Sequence, residues 1–309
     1  IRYKMIIYSP RASSILYNYL KTNSIEGYFL LPLNSCPVVP LVFMKAGIPY
    51  EFIDIETETY CIDREKVEEK ISDKNCKGLL FIYTYGLEKD FEAFFELLKE
   101  KRPDFKIIED KCLNPPTFKL RSSSQLADLT LFSTGYGKYA DIGYGGFALT
   151  HHNISYKIHY LPYSQISLEQ ITNKYKKALK NNTRFYTSES DWLENDVFKL
   201  SESTYKKKIK ETINDASKTK ARLNKIYSEN LPEDIFLRVN GQLLNNWRFN
   251  IKVNNKKKIL EEMFAQGLFA SSHYQPLDGI FSDKHLVNSV ANQLHESVIN
   301  LFNDSYFNE

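Results

Sequence analysis

The sequence predicts an α/β fold: a large domain with a mainly parallel sheet over residues 1–185, followed by a smaller α+β domain over residues 186–309. Three observations carry this. The first half alternates short apolar runs with segments of helical spacing, the pattern of parallel strands joined by crossover helices. Beyond residue 150 the alternation stops, and a long charged helix leads into a different mixture of strands and helices. The length of 309 residues exceeds what one hydrophobic core usually fills.

The apolar runs in order are KMIIYS, YFLLPL, YEFIDI, KGLLFIYTY, FKIIED, LTLFS and GGFALT. Of these, LTLFS reads as a buried strand. Between them SSILYNYLKT, VVPLVFMKAG, REKVEEKIS and EAFFELLKEKR space their apolar residues as helices. Residues 151–200 are polar and aromatic with weak periodicity. Residues 201–229 read as one helix with a serine cap and a charged outer face. The strand-like runs DIFLRV and NNWRFNIKV follow, then a helix at KKKILEEMFAQG ending on Gly267, and a last helix near 285–302.

The formal charge of +3 comes from 41 basic and 38 acidic residues spread along the chain, which leaves no electrostatic footprint for nucleic acid. Cys36, Cys61, Cys76 and Cys112 stand far apart with no CxxC pair, so neither a metal site nor a disulfide framework is expected, and the expected location is a reducing cytoplasm. No apolar run approaches the roughly 20 residues that span a bilayer. The N-terminal IRYKMIIYSPR turns polar too quickly for a signal peptide.

Chemistry concentrates in FSTGYGKYADIGYGGFALT, which holds five of the chain's 12 glycines around Lys138. The strand LTLFS delivers that lysine just past its carboxyl end, where open α/β sheets bind ligands. FKIIED delivers Asp110 at the same edge. In SPRASSILYNYL a strand turns into a helix whose first N–H groups, around Ala12, Ser13 and Ser14, suit a phosphate. Taken singly, these read as a solvated loop lysine, a surface acidic pair and a plain helix start. Their order, with Gly143, Gly145 and Gly146 beside the lysine, sets them apart. Pyridoxal phosphate needs its phosphate anchored, its ring nitrogen kept protonated by a carboxylate, and its aldehyde held by a lysine amine that later moves protons between carbons.

The same segment resembles the pyridoxal phosphate motif of the DegT/DnrJ family of sugar aminotransferases, with Phe132, Ser133, Lys138, Gly143, Gly145 and Gly146 in its places. IIED resembles the family's E-D-A-A-Q, KAGIPYEFIDIETETYCID its alanine-glycine turn and D-I/V-D strand, YTYGLEKDF its Y-G-x-x-x-D-M, and SSHYQPL its H-Y-x-P-L. The resemblance implies a fold type I pyridoxal-phosphate transferase, a homodimer with shared active sites. Such an enzyme moves an amino group, commonly from glutamate, onto a nucleotide-linked keto-sugar for surface polysaccharide or antibiotic sugars. It implies Lys138 as catalytic residue, Asp110 as pyridinium partner, and Ser133 with the backbone at Ala12 and Ser13 on the phosphate. It also implies an asparagine from the neighbouring subunit, in the place of Asn195, with Asn182 as a rival.

The chain departs from the family's pattern in places. The stretch that usually precedes the phosphate turn is absent, and that turn has Ala12 for its glycine. Cys36 stands where an aromatic ring usually stacks on the cofactor, and a thiol offers far less face. Leu113, with Asn114 beside it, replaces the cofactor-contacting glutamine, and Val197 replaces the arginine of N-Y-R. Three expectations follow: an active aminotransferase, a catalytically degenerate descendant that binds or assembles, and a lyase or dehydratase. The dehydratase offshoot replaces the lysine with histidine, which this chain does not. His273 is expected near the substrate or the dimer seam. Tyr136 and Tyr144 flank the lysine, and His151 and His152 read as a polar loop.

Overall fold

The computed structural model describes residues 5–119 and 123–305. Seven strands, β1 (Met5–Ser9), β2 (Tyr28–Pro32), β3 (Tyr50–Ile53), β4 (Cys76–Ile82), β5 (Lys106–Asp110), β6 (Leu129–Ser133) and β7 (Gly146–Thr150), bond in the order β1-β7-β6-β5-β4-β2-β3. The five from β3 to β6 run parallel, and β7 is antiparallel to both its neighbours. Every residue of β6 and β7 is buried, as expected of strands covered on both faces. The crossovers are α1 (Ala12–Asn23), α2 (Val38–Ala46), α3 (Arg64–Lys70) and α4 (Glu92–Lys101). Local chemistry sets their ends. The Asp63 carboxylate accepts the Lys66 N–H at the start of α3, and α2 stops at Gly47, whose φ of 74° is left-handed.

The second half holds α5 (Gln165–Asn181), α6 (Glu202–Asn230), a short pair β8 (Arg238–Val239) and β9 (Gln242–Leu243), β10 (Phe249–Lys252), α7 (Lys256–Ala265), β11 (Ala270–Ser271), α8 (Val290–Ser297) and β12 (Val298–Leu301). Helix α6 starts where predicted, with Ser201 accepting the Thr204 N–H. Two expectations are corrected. The weakly periodic stretch contains the 17-residue α5, which buries only Ile171 and Ala178 and so shows no apolar stripe. The last helix ends at Ser297, and the apolar residues after it form β12, the centre of an antiparallel sheet β10-β12-β11. That sheet buries Phe249, Ile251, Ile299 and Leu301 against Tyr227, Ile259 and Met263 on one face. Alternation sends Asn250 and Asn300 to the other face, where Asn300 Nδ2 donates to Asn250 Oδ1 at 2.7 Å and Asn300 Oδ1 accepts the His273 N–H at 2.7 Å.

Consecutive residues at the end of β5 face opposite sides of the large sheet. Glu109 is fully buried and accepts from Tyr83 Oη (2.5 Å), Thr130 Oγ1 (2.6 Å) and the Ser124 N–H (2.9 Å), with Lys111 Nζ at 3.4 Å. Glu109→Ala leaves those donors unpaired and is expected to lower unfolding stability by about 3–5 kcal/mol, read as a fall in the urea midpoint. An unchanged midpoint would show that this network holds nothing together. Among the described residues no helix is long and apolar enough to cross a membrane, and no group of three His, Cys, Asp or Glu is placed to hold a metal.

Candidate active site

The register of the sheet assembles one half of the site. Gly146 pairs with Ser9 on one side and with Ser133 on the other, so the first residue of β7 lies between the ends of β1 and β6. Helix α1 begins three residues after Ser9, directly over this point. A Cβ on Gly146 would stand 2.4 Å from the Ala12 nitrogen, so only glycine lets the helix come so close. The N-cap residue, Arg11, is extended and its side chain makes no capping bond. It turns away to Glu194 (Nε to Oε2, 3.1 Å) and to the Gly143 carbonyl (3.1 Å). The first N–H groups of α1, at Ala12 and Ser13, are therefore left without a side-chain cap, and Gly146 lies between this turn and the buried Ser133 with which it pairs.

The other half gathers at the carboxyl ends of β5 and β6. Asp110 closes β5, and its Oδ1 accepts the Cys112 N–H at 2.9 Å. Lys138 is half-buried in the loop after β6. Both charges act on Cys36 and on Cys112, so the four side chains share one cluster. Burial pushes both thiols up, and in each case the Asp110 carboxylate adds to the rise while Lys138 opposes it. Tyr274 is pushed well up by the same burial, with Cys36 and Asp110 adding to it. His273 is pushed down to about 4, first by burial and then by the charge of Arg248, with Lys138 adding a little. The imidazole is therefore neutral at pH 7.

Backbone bonds, rather than the lysine side chain, hold the loop. Asp141 accepts from the N–H groups of Gly137 (2.8 Å) and Gly143 (2.9 Å), and Thr134 Oγ1 donates to the Tyr144 carbonyl at 2.7 Å. Trp247 Nε1 donates to the Gly137 carbonyl at 2.7 Å, tying the residue before Lys138 to the second half of the chain. The Trp247 ring lies nearly parallel to Tyr85 (6.3 Å, 2°) and to Tyr274 (6.2 Å, 9°).

Of the residues expected at the site, Asp110 and Lys138 both act on Cys36, and Gly146, which pairs with Ser133, abuts Ala12 at the start of α1, with Ser13 the next residue of that helix. Asn195 does not join them. It is 1% exposed, and its amide donates to Asn18 Oδ1 (2.9 Å) and the His159 carbonyl (2.6 Å) while accepting from Asn18 Nδ2 (2.9 Å). Within its own chain it is therefore tied to Asn18, part-way along α1, and to the segment before α5. Asn182, at the left-handed C-cap of α5, has an exposed side chain.

The sequence profile of the DegT/DnrJ/EryC1/StrS aminotransferase family matches residues 41–305. The chain belongs to this family. The sheet order with its single antiparallel strand is that of fold type I, and solved structures of the family superpose on nearly the whole chain. A DegT/DnrJ/EryC1/StrS aminotransferase of Brucella abortus has a TM-score of 0.70 at 15% identity, covering 99% of this chain and 83% of its own. A Streptococcus pneumoniae protein described as a sugar aminotransferase, solved in its pyridoxal phosphate form, has a TM-score of 0.71 at 16% identity, covering 99% and 84%. A curated Bacillus subtilis relative, 3-oxo-glucose-6-phosphate:glutamate aminotransferase, is 30% identical over 120 residues. That match takes in 38% of this chain and spans a quarter of the relative's length.

Membership makes pyridoxal phosphate the cofactor to test, and three observations fit it: the uncapped start of α1, the close approach that Gly146 permits, and a lysine and a carboxylate that act on the same two thiols. Buried polar atoms without partners lie in the same region, namely Asn34 Oδ1 and Ser35 Oγ, next to Cys36 in the chain, and His273 Nδ1. Sequence reasoning missed Trp247, Tyr85, Asp141 and Arg248. The one available signal was that the chain has only two tryptophans, one of them inside a predicted strand.

Proposed function

We propose that this DegT/DnrJ/EryC1/StrS family member is a pyridoxal-phosphate-dependent aminotransferase that moves the amino group of glutamate onto a keto-sugar carried on a nucleotide or a phosphate, as part of surface polysaccharide or antibiotic sugar synthesis. The observation that carries the reading is the convergence of Lys138, Asp110 and the uncapped α1 terminus at one end of one sheet. The curated relative supports glutamate as donor and a phosphorylated keto-sugar as acceptor, since both are in its name. The partner is a second copy, sharing its active sites; Tyr160, Ile166 and Tyr186, each more than 60% exposed, offer apolar surface in the segment that carries α5.

Each residue then has a task. The N–H groups of Ala12 and Ser13 and the Ser133 hydroxyl hold the phosphate, helped by the positive end of α1. Asp110 keeps the ring nitrogen protonated, its position fixed by the Cys112 N–H. Cys36 lines the ring's surroundings as a neutral thiol. When bound, the cofactor supplies an electron sink for the donor's α-carbon. Lys138 Nζ would hold the cofactor's aldehyde and, once displaced by the donor, would take the proton from the donor's α-carbon; in the return half-reaction it would deliver a proton to the acceptor carbon that gains the amine.

The test is to load the protein with pyridoxal phosphate, add glutamate, and follow the visible absorbance and 2-oxoglutarate. A visible band that bleaches with stoichiometric 2-oxoglutarate is expected. Asp110→Asn is expected to bind the cofactor yet release 2-oxoglutarate about 100-fold or more slowly, because a neutral amide cannot hold the ring proton. Full-speed turnover by that variant would remove Asp110 from the role. A binding or assembly role without turnover is the second reading, favoured by the thiol of Cys36 in place of a stacking ring. A band that forms and never bleaches with any amino acid would select it.

A further inference from the structure

The polar face of the β10-β12-β11 sheet points a buried arginine at this cluster, and the tasks above do not use it. Arg248, just ahead of β10, is 8% exposed. Its guanidinium carbon lies 4.4 Å from the Trp247 ring centre and 3.9 Å from that of Phe302, contacts that hold a planar cation in place. Nη1 donates to Ser271 Oγ, while Nε is buried with no acceptor. Its surroundings are those of the candidate site. The charges of Arg248 and Lys138 both act on His273, and Tyr274 feels Arg248 together with Asp110 and Cys36. Trp247, the preceding residue, bonds the backbone next to Lys138. Asp304 supplies negative charge nearby.

We propose that Arg248 binds a carboxylate of the amino-acid donor, an inference that rests on the aminotransferase reading. A buried Nε–H without a partner is costly to leave unpaired, and a carboxylate satisfies it while using the planar fork of donors that lysine lacks. The low-dielectric surroundings strengthen the pairing, and the two aromatic rings and Ser271 have already fixed the orientation, so little freedom is lost on binding. His273 Nδ1, also buried without a partner, lies within reach of the same charge and adds a second polar contact. The cofactor phosphate is assigned to the start of α1, which leaves this cation for a different anion.

The experiment uses the cofactor-loaded full chain and titrates glutarate, a dicarboxylate that cannot react, by calorimetry against wild type, Arg248→Gln and Arg248→Lys. In parallel, the glutamate half-reaction is resolved into its maximal rate and its half-saturating concentration. Glutarate binding is expected to weaken about 10- to 100-fold in Arg248→Gln and by a smaller factor in Arg248→Lys, with the visible band intact and most of the loss in half-saturation. Equal glutarate affinity in wild type and Arg248→Gln, with the band present in both, overturns the assignment. Inorganic phosphate binding more tightly than glutarate in an Arg248-dependent way also overturns it, by making this an acceptor-phosphate site. A wild-type protein with no visible band defeats the aminotransferase reading instead. If Arg248→Gln does not fold, Arg248→Lys decides, since unchanged affinity in it shows that the fork is not used.

Discussion

Lys138→Ala is expected to abolish the visible band at saturating pyridoxal phosphate and to reduce 2-oxoglutarate release from glutamate by about 10⁴-fold or more. The size of the effect follows from the neighbours. Burial pushes Cys36, Cys112 and Tyr274 up, so each is neutral at pH 7, and His273 is pushed down to about 4 and is neutral as well. Lys138 is the amine that acts on Cys36 and Cys112, while the buried Lys220 is held by the Trp247 carbonyl and Asn303 Oδ1, both at 2.7 Å, so it is not expected to take over the covalent link. His273 is a weak substitute for proton transfer, because a base of such low pKa is poorly matched to abstracting a carbon-bound proton at pH 7. The variant should still fold. The loop is held by Asp141, Thr134 and Trp247 through bonds to backbone atoms, so the unfolding free energy from urea titration should stay within about 0.5 kcal/mol of wild type. A folded Lys138→Ala protein that keeps the band, or keeps turning over glutamate, would defeat the proposed chemistry. A folded wild-type protein that never forms the band would move the function to binding alone.

What could be read from the sequence divides along physical lines. The seven strands of the large sheet were legible because each is written as a short, mainly apolar run, and β6 and β7 are buried throughout. Lys138, Asp110 and Ala12 were legible because in such sheets the carboxyl ends of strands are where ligands lie, and that position can be counted in sequence. Helix α5 was not, since with only Ile171 and Ala178 buried its sequence looks like a polar loop. Strand β12 was merged into the helix before it because an apolar run straight after α8 has no break to announce the change of period. Asn195 illustrates a different limit. Spacing from a tyrosine locates a position on the chain and says nothing about where its side chain turns, and here it turns inward to Asn18. Trp247, Arg248 and Tyr274 come from a separate sheet more than 100 residues beyond Lys138, and only the packing of that sheet's polar face brings them in.

The glycines around Lys138 offer a second large effect, and the two that differ most in surroundings separate its causes. Gly137→Ala meets nothing within 4 Å, so its penalty is the left-handed backbone alone, with φ of 68°, worth about 1–2 kcal/mol. Gly146→Ala carries no such backbone penalty. Its methyl group would lie 2.4 Å from the Ala12 nitrogen and 2.7 Å from the Ala12 Cα, both backbone atoms that cannot swing aside. Relief requires the start of α1 to move off the end of β7. That is expected to cost about 2–4 kcal/mol of stability, at the upper end of what overpacking a filled interior does. It also shifts the Ala12 and Ser13 N–H groups away from the Ser133 hydroxyl, so the affinity for pyridoxal phosphate should fall at least 10-fold, whereas Gly137→Ala should bind it nearly as wild type does. Urea unfolding of the two variants, paired with a titration of the visible band, gives both quantities. If Gly146→Ala loses stability yet binds the cofactor undiminished, the start of α1 is a packing contact and the phosphate is held elsewhere. If both losses appear together and only at Gly146, the glycine is there so that the helix terminus can reach the anion that Lys138 needs beside it.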